Sequence, residues 1–250
     1  MVRGLERFKE HFKEYTDRYV LIGGVACLLQ MEVVGESFRA TKDLDIVLQI
    51  EAMDADLAGA LWDFVKLGGY TRRLKHDGRE QCYRFEKPRD ETWPYMLELF
   101  SRVPDLLQRE GGSQITRIHI DDTISSLSAI LLDTEYYAFL CAGKTVTADL
   151  PVLRPEYLIP LKARAWLDLS ERNEKGEPVD ANTVKKHRND LFRLYRIVSP
   201  EPKIPLQGRI REDMQEFLNR IPKEISLKPF GYRGTMVDTV LDGLRTLYAL

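Results

Sequence analysis

The most constraining feature of this sequence is the stretch 19–49, in which an apolar run, two glycines and two aspartates follow one another. The apolar run 19–22 ends at Gly23 and Gly24, a pattern that predicts a buried strand followed by a tight turn. The residues after the glycines predict a helix over 25–31. A helix that begins directly after two glycines presents backbone N–H groups that can bind phosphate.

Two aspartates open the second apolar run of this stretch. Asp43 and Asp45 lie two apart, and strand side chains alternate with period two, so both carboxylates are expected on one face of a strand. Neighbouring carboxylates repel each other unless a cation lies between them, and hard oxygen ligands favour magnesium. The basic residues Arg39 and Lys42 flank the pair and are candidates for contact with a nucleotide or a second substrate.

A third carboxylate, Glu98, lies within the apolar run 95–100. The run follows a turn signal and reads as the returning strand of a hairpin. Together Asp43, Asp45 and Glu98 predict a site for one or two metal ions of the kind that catalyses phosphoryl or nucleotidyl transfer. The glycine turn would hold the nucleotide phosphates. The alternative interpretation is that the aspartates mark a solvated strand end and that Glu98 is an edge residue.

Composition places the chain among globular proteins and disfavours several classes. Its 250 residues are 44% hydrophobic and 30% charged, and the net charge of −2 gives no overall basic field of the kind that attracts nucleic acid. No apolar run approaches the roughly 20 residues of a membrane span. The three cysteines lack the spacing of a zinc site. The charged first residues are atypical of a signal peptide, so we expect a cytoplasmic protein with no membrane partner.

Hydrophobic periodicity predicts an α+β fold in two domains. In residues 1–154 we expect both strands and helices, with strand patterns over 136–146 and 150–153 among the elements. A strand pattern at 115–120 and a helical one at 124–132 belong to the same part. Residues 155–250 change to helical spacing and predict a C-terminal helical bundle. Its four predicted helices lie at about 156–169, 182–198, 209–220 and 235–250.

Two polar residues stand at the apolar faces of predicted helices in the second domain. Lys162 lies one turn from Leu158 and from Trp166, and a lysine there either extends to solvent or meets a polar centre. Asp190 borders the apolar stripe of the next predicted helix. A buried pair of the two would be structural, and the alternative is that the two form part of a polar site.

The order of the three motifs 22–24, 43–45 and 97–99 (Ile-Gly-Gly, Asp-Leu-Asp and Leu-Glu-Leu) resembles the signature of the DNA polymerase β-type nucleotidyltransferase superfamily. The segments 155–165 and 185–191 resemble the Lys and Asp-Leu motifs of AbiEii-type proteins. Those are the toxin halves of AbiE-like (type IV) toxin–antitoxin pairs, near which the MenT toxins belong.

This resemblance implies a nucleotidyltransferase-type mixed β-sheet flanked by helices, a helical C-terminal part, bound Mg²⁺ and a nucleoside triphosphate as donor. By matching motifs, the implied site residues are Gly23 and Gly24 for phosphate, Asp43, Asp45 and Glu98 for metal, and the branch-specific pair Lys162 and Asp190. On this resemblance, Lys162 would contact the triphosphate and Asp190 would orient it or a base. The sequence departs from the family at Val25, where many relatives have serine or threonine after the glycines. A hydroxyl contact to phosphate is therefore missing or replaced.

These features predict a magnesium-dependent nucleotidyltransferase that moves a nucleoside monophosphate from a triphosphate to an acceptor hydroxyl by two-metal catalysis, with Asp43 and Asp45 holding both magnesium ions. The AbiEii-like motifs favour a toxin that acts on tRNA or another cellular target, with a cognate antitoxin as a candidate partner. A drug-modifying nucleotidyltransferase with a small-molecule acceptor is an alternative within the same class. Outside that class, the alternatives are a catalytically inactive nucleotide- or partner-binding module on this scaffold and a purely structural antitoxin-binding partner.

Overall fold

The structure of the chain is a computed structural model that describes residues 2–49, 55–74, 80–100, 133–199, 201 and 203–250. The chain divides into two compact units. Of the described residues, the first unit takes those up to residue 100 together with Lys144–Leu153. The second takes residues 133–143 together with Arg154–Leu250.

A mixed β-sheet organises the first unit. Its strands are β1 (Tyr19–Ile22), β2 (Asp43–Leu48), β3 (Thr71–Leu74), β4 (Glu80–Glu86), β5 (Met96–Phe100), β6 (Lys144–Thr147) and β7 (Leu150–Leu153). In the described part of the chain they form one seven-stranded sheet in the order β3-β4-β5-β2-β1-β7-β6. The pairs β2–β5 and β1–β7 are parallel, and the other neighbouring pairs are antiparallel.

The centre of the sheet is buried on both faces. All four residues of β1 are buried, and β2 is buried from Ile46 to Leu48. A strand covered on both faces reads as a continuous apolar run rather than an alternating one. The sequence therefore locates β1 and β2 correctly.

Helices flank this sheet, which confirms the predicted α+β class. They are α1 (Leu5–His11), α2 (Gly23–Val33) and α3 (Ala55–Leu67), with a 3₁₀ turn at Lys13–Tyr15. Helix α2 packs on β1 and β2. An aromatic cluster joins α1 to β1 and α3, where the ring centroid of Phe8 lies 5.5 Å from that of Tyr19 and 5.7 Å from that of Phe64.

The second unit is helical in its described part. Its helices are α4 (Thr134–Ala142), α5 (Pro155–Glu174), α6 (Ala181–Tyr195), α7 (Gly208–Arg220) and α8 (Val237–Tyr248), with a 3₁₀ turn at Lys228–Phe230. Helix α5 packs on α6 and on α7. Each of the four helices predicted after residue 155 is present. Among the described residues, none of the helices has the length and apolarity that a membrane crossing requires.

The segment 136–146, predicted as strand, is mostly helix α4. The carboxylate of Asp133 caps this helix by accepting hydrogen bonds from the backbone N–H groups of Glu135 (2.8 Å) and Tyr136 (3.3 Å). The aromatic and apolar residues after the cap have no clear helical period, which is why the pattern was misread. The elements predicted at 115–120 and 124–132 lie outside the described residues.

Candidate active site

The carboxylates of Asp43, Asp45 and Glu98 lie on one face of two neighbouring strands. In the parallel pair β2–β5, Asp45 is directly opposite Glu98. Asp43 shares the face of Asp45 because side chains two residues apart point the same way. All three are half-buried, whereas Leu44 and Leu97, which point to the other face, are buried. Asp43 and Asp45 therefore share one strand face, as their spacing predicts, and Glu98 lies beside them on the neighbouring strand.

Gly23 makes room for the carboxylate of Asp45. In the antiparallel pair β1–β2, Ile22 lies opposite Asp45, so the turn from β1 into α2 passes beside that side chain. Gly23 has φ +65°, and a Cβ at this position would lie 2.6 Å from the Cγ of Asp45. A left-handed backbone and a carboxylate in the place of a side chain both require glycine.

Gly24 is approached by the loop that precedes β2. A Cβ on Gly24 would overlap the hydroxyl of Thr41 and would lie 3.5 Å from the Nη2 of Arg39. Ile22, the N-cap of α2, provides no side-chain hydrogen bond to the first turn. The first N–H groups of a helix have no partner within the helix. Those of α2 lie near the hydroxyl of Thr41 and the guanidinium of Arg39, beside the aspartates.

The two predicted basic residues differ in their surroundings. The guanidinium of Arg39 lies 5.1 Å from the ring of Phe38 and donates to the carbonyl of Ala40 at 3.3 Å. Lys42 is exposed, and its Nζ lies 5.4 Å from the ring centroid of Tyr95. Arg39 also reaches the first turn of α2, where its Nη2 would lie 3.5 Å from a Cβ on Gly24. Lys42 lies on the surface next to strand β2.

Glu98 has a cationic partner from the neighbouring strand. Arg84 on β4 is directly opposite Glu98 in the antiparallel pair β4–β5, and its Nη2 forms an ion pair with Oε1 of Glu98. The side chains of Arg84 and Glu98 are 22% and 13% exposed, respectively. A pair this shielded is screened by salt less than an exposed one. The acidic face therefore includes the guanidinium of Arg84.

This set of side chains fits a hard divalent cation in part. Asp43 and Asp45 offer carboxylate oxygens on one face, which are the ligands that Mg²⁺ prefers. Glu98 offers the same chemistry once Arg84 releases it. In the part of the chain that the structure describes, no group of three or more His, Cys, Asp or Glu side chains forms a ready metal site. Asp43 and Asp45 are thus the two ligands that the site offers directly, and Glu98 is an additional ligand that Arg84 holds.

The predicted pair of Lys162 and Asp190 forms within the second unit. The Nζ of Lys162 donates to Oδ2 of Asp190 at 3.2 Å, joining α5 to α6. Lys162 is 5% exposed and Asp190 is 0% exposed. The Nη1 of Arg193, on the next turn, lies 3.7 Å from Oδ1 of Asp190. A buried carboxylate needs such partners, so Lys162 meets a polar centre rather than extending to solvent.

Sequence reasoning missed two residues of the site, Thr41 and Arg84. Thr41 stands two residues before Asp43, but its sequence position does not reveal that the loop folds back onto Gly24. Arg84 lies on β4, and the pairing of this strand with β5 places it opposite Glu98. The long connection between β4 and β5 fixes no register, unlike a two-residue turn, so the sequence alone does not place Arg84 opposite Glu98.

The geometry of the first unit gives the grounds for assigning a function. The acidic face, the glycine turn into α2 and the pair of Arg84 with Glu98 all belong to that unit. Comparison of the chain with models of known protein families, with curated proteins and with solved structures found no match.

Proposed function

We propose that the protein is a magnesium-dependent nucleotidyltransferase that transfers a nucleoside monophosphate from a nucleoside triphosphate to an acceptor hydroxyl. The observation that carries the proposal is the shared face of Asp43, Asp45 and Glu98 beside the first turn of α2. Oxygen ligands for Mg²⁺ and N–H groups for phosphate are what an enzyme acting on a magnesium-bound triphosphate requires. On this proposal the sheet is of the nucleotidyltransferase type, and the helices of the second unit form a C-terminal bundle.

Each residue of the acidic face has a role in this proposal. Asp43 and Asp45 hold Mg²⁺, which when bound neutralises phosphate charge and activates an oxygen for attack. The acceptor oxygen attacks the α-phosphorus, the bond from that phosphorus to the bridging oxygen breaks, and pyrophosphate leaves. Glu98 helps to take the proton of the acceptor hydroxyl. The contribution of the protein is mainly positioning and charge neutralisation.

The corner beside the aspartates binds the triphosphate in this proposal. Gly23 and Gly24 let phosphate oxygens approach the N–H groups at the start of α2. Thr41 supplies the hydroxyl that the sequence lacks at Val25, since it occupies the space beside Gly24. Arg39 adds positive charge at the same corner. Lys42 is left for the nucleotide or the second substrate.

Lys162 and Asp190, which pair within the second unit, are proposed either as a structural pair or as a contact to a triphosphate that Asp190 orients. The AbiEii-like motifs support a toxin whose acceptor is tRNA or another cellular target and whose partner is a cognate antitoxin. A small-molecule acceptor, as in a drug-modifying enzyme, uses the same chemistry. The near-neutral net charge of −2 favours a small or protein acceptor over long nucleic acid.

One observation favours a second candidate, an inactive module that binds nucleotide or a partner protein. Arg84 neutralises the third carboxylate, and a site in which Glu98 never leaves Arg84 would bind a magnesium-bound triphosphate through the aspartates without transferring it. The two candidates therefore differ in group transfer and not in nucleotide binding.

Label transfer separates the two candidates. The purified protein is incubated with Mg²⁺, triphosphates labelled at the α-phosphate, and total RNA, cell protein or small-molecule acceptors. The variant Asp45→Ala removes a proposed ligand, and Asp149→Ala is the matched control because Asp149 is an exposed aspartate of the same unit, paired with Lys9 at 2.7 Å. We expect transfer by the wild type and by the control but not by Asp45→Ala.

Two other outcomes decide against the enzyme. Triphosphate binding that needs Asp45, without transfer to any acceptor, would establish the inactive module. The absence of both triphosphate binding and label transfer would contradict both candidates.

A further inference from the structure

Three charged residues form a row across adjacent strands of the sheet. Arg84 on β4 is opposite Glu98 on β5, and Glu98 is opposite Asp45 on β2. Neighbouring strands lie about 4.8 Å apart, so the carboxylate of Glu98 has a guanidinium on one side and a second carboxylate on the other. Glu98, the carboxylate that would complete the metal site, is therefore already paired with the guanidinium of Arg84.

We propose that Arg84 competes with the metal ion for Glu98. This inference rests on the metal site of the proposed function. In the metal-free protein, Arg84 holds Glu98 and offsets the repulsion between Glu98 and the aspartates. When the ion is bound by Asp43 and Asp45, Glu98 becomes an additional ligand only if Arg84 yields it. The arginine thus stabilises the metal-free site and weakens metal binding.

The competing role predicts two effects of opposite sign when Arg84 loses its charge. Without the arginine, the metal-free site contains three carboxylates on one face, and like charges this close destabilise the fold. The same loss removes the rival cation, so the metal ion binds more tightly. A purely structural arginine would change stability alone. An arginine that fixes Glu98 in a ligand position would, when removed, weaken metal binding.

The test has two parts. Mn²⁺ alone is titrated into the protein and its binding is measured by calorimetry, and thermal unfolding is measured in the presence of a chelator. For Arg84→Met we expect a dissociation constant for Mn²⁺ roughly three- to tenfold lower than that of the wild type, as suits loss of a half-buried ion pair. We expect a lower unfolding temperature without metal. In the background Glu98→Gln, the change at Arg84 should no longer alter the affinity for Mn²⁺.

Two further variants keep the test decisive. Arg18→Met is the matched control, because Arg18 is a half-buried arginine of the same unit, paired with Asp17 at 3.8 Å, and precedes β1 at the end away from Ile22. It should leave the affinity for Mn²⁺ unchanged. Arg84→Lys retains the charge but loses the fork of donors, and we expect an affinity between those of the wild type and Arg84→Met. If Arg84→Met does not fold, the affinity of Arg84→Lys for Mn²⁺ shows whether weakening the arginine contact tightens or loosens metal binding.

The outcomes distinguish this inference from the function on which it rests. Binding of Mn²⁺ that needs Asp45 but is unchanged or weakened by loss of the arginine would overturn the competing role of Arg84 and leave the metal site standing. A wild-type protein that binds no Mn²⁺, or binds it equally well without Asp45, would overturn both. A tighter site that still responds to Arg84 when Glu98 is glutamine would also contradict the competition, because Arg84 would then act on other ligands.

Discussion

Gly23 links the fold to the proposed site, because the space left by its missing side chain is filled by the carboxylate of Asp45. We expect Gly23→Ala to destabilise the protein by at least the roughly 1–2 kcal/mol that an L-residue loses in a left-handed conformation. The added methyl would also displace Asp45, so the affinity for Mn²⁺ should fall. Urea unfolding and a Mn²⁺ titration measure the two effects.

Gly59 provides a control for this substitution. It lies within α3, and a Cβ there would meet nothing within 4 Å. Gly59→Ala should stabilise the protein by up to about 1 kcal/mol, the difference in helix propensity between the two residues, and leave Mn²⁺ binding unchanged. A Gly23→Ala variant with the stability and metal affinity of the wild type would show that the turn does not depend on glycine.

At the scale of the element, α6 presents Asp190 and depends on its N-cap, Asp180. The carboxylate of Asp180 accepts hydrogen bonds from the backbone N–H of Asn182 and from the hydroxyl of Thr183, each at 3.0 Å. These bonds, that from Asn182 first, hold the pKa of Asp180 below its usual value. A pKa lowered by folding means that the cap stabilises the protein above the pKa of the unfolded chain. That stabilisation is lost as the pH falls through the pKa of the folded state.

Asp180→Ala should therefore lower the free energy of unfolding at pH 7. The difference from the wild type should shrink below about pH 3.9, the ordinary pKa of an aspartate. Urea unfolding, monitored by circular dichroism at several pH values, measures the loss of stability at pH 7 and its decrease at acidic pH. Asp242→Ala is a control, since Asp242 forms an exposed ion pair with Arg245 and such pairs contribute little. A difference between Asp180→Ala and the wild type that grows towards acidic pH would contradict the stabilising role of the ionised cap.

Local patterns explain which elements the sequence predicted and which it did not. The strands β1 and β2 and the helix between them were predicted because a buried run, a glycine pair and period-two acids are each visible within a few residues. Helix α4 was missed because its apolar residues show no clear period and its cap is a single carboxylate. The partners of Gly24 and Glu98 were missed because a loop fold and a strand register are set by tertiary contacts.

At the scale of the whole molecule, the division into two units assigns Lys162 to the helical one. Lys162→Met would remove one cationic partner of the buried carboxylate of Asp190, while Arg193 stays at 3.7 Å. Breaking a buried pair costs roughly 3–5 kcal/mol, and we expect the lower end because Arg193 stays. Amide hydrogen exchange followed by mass spectrometry should show faster exchange in α5 and α6, with β1 and β2 unchanged, since local stability follows the cooperative unit.

The same variant decides between the two roles proposed for Lys162. If the lysine is structural, exchange in α5 and α6 accelerates and the affinity of the protein for triphosphate is unaffected. If it contacts the triphosphate, Lys162→Met weakens triphosphate binding while exchange measured without nucleotide stays near that of the wild type. Lys185→Met, an exposed lysine on α6, should change neither quantity. A loss of both in Lys162→Met would mean that the buried pair builds the surface to which the nucleotide binds, so Asp190→Asn should then reproduce both losses.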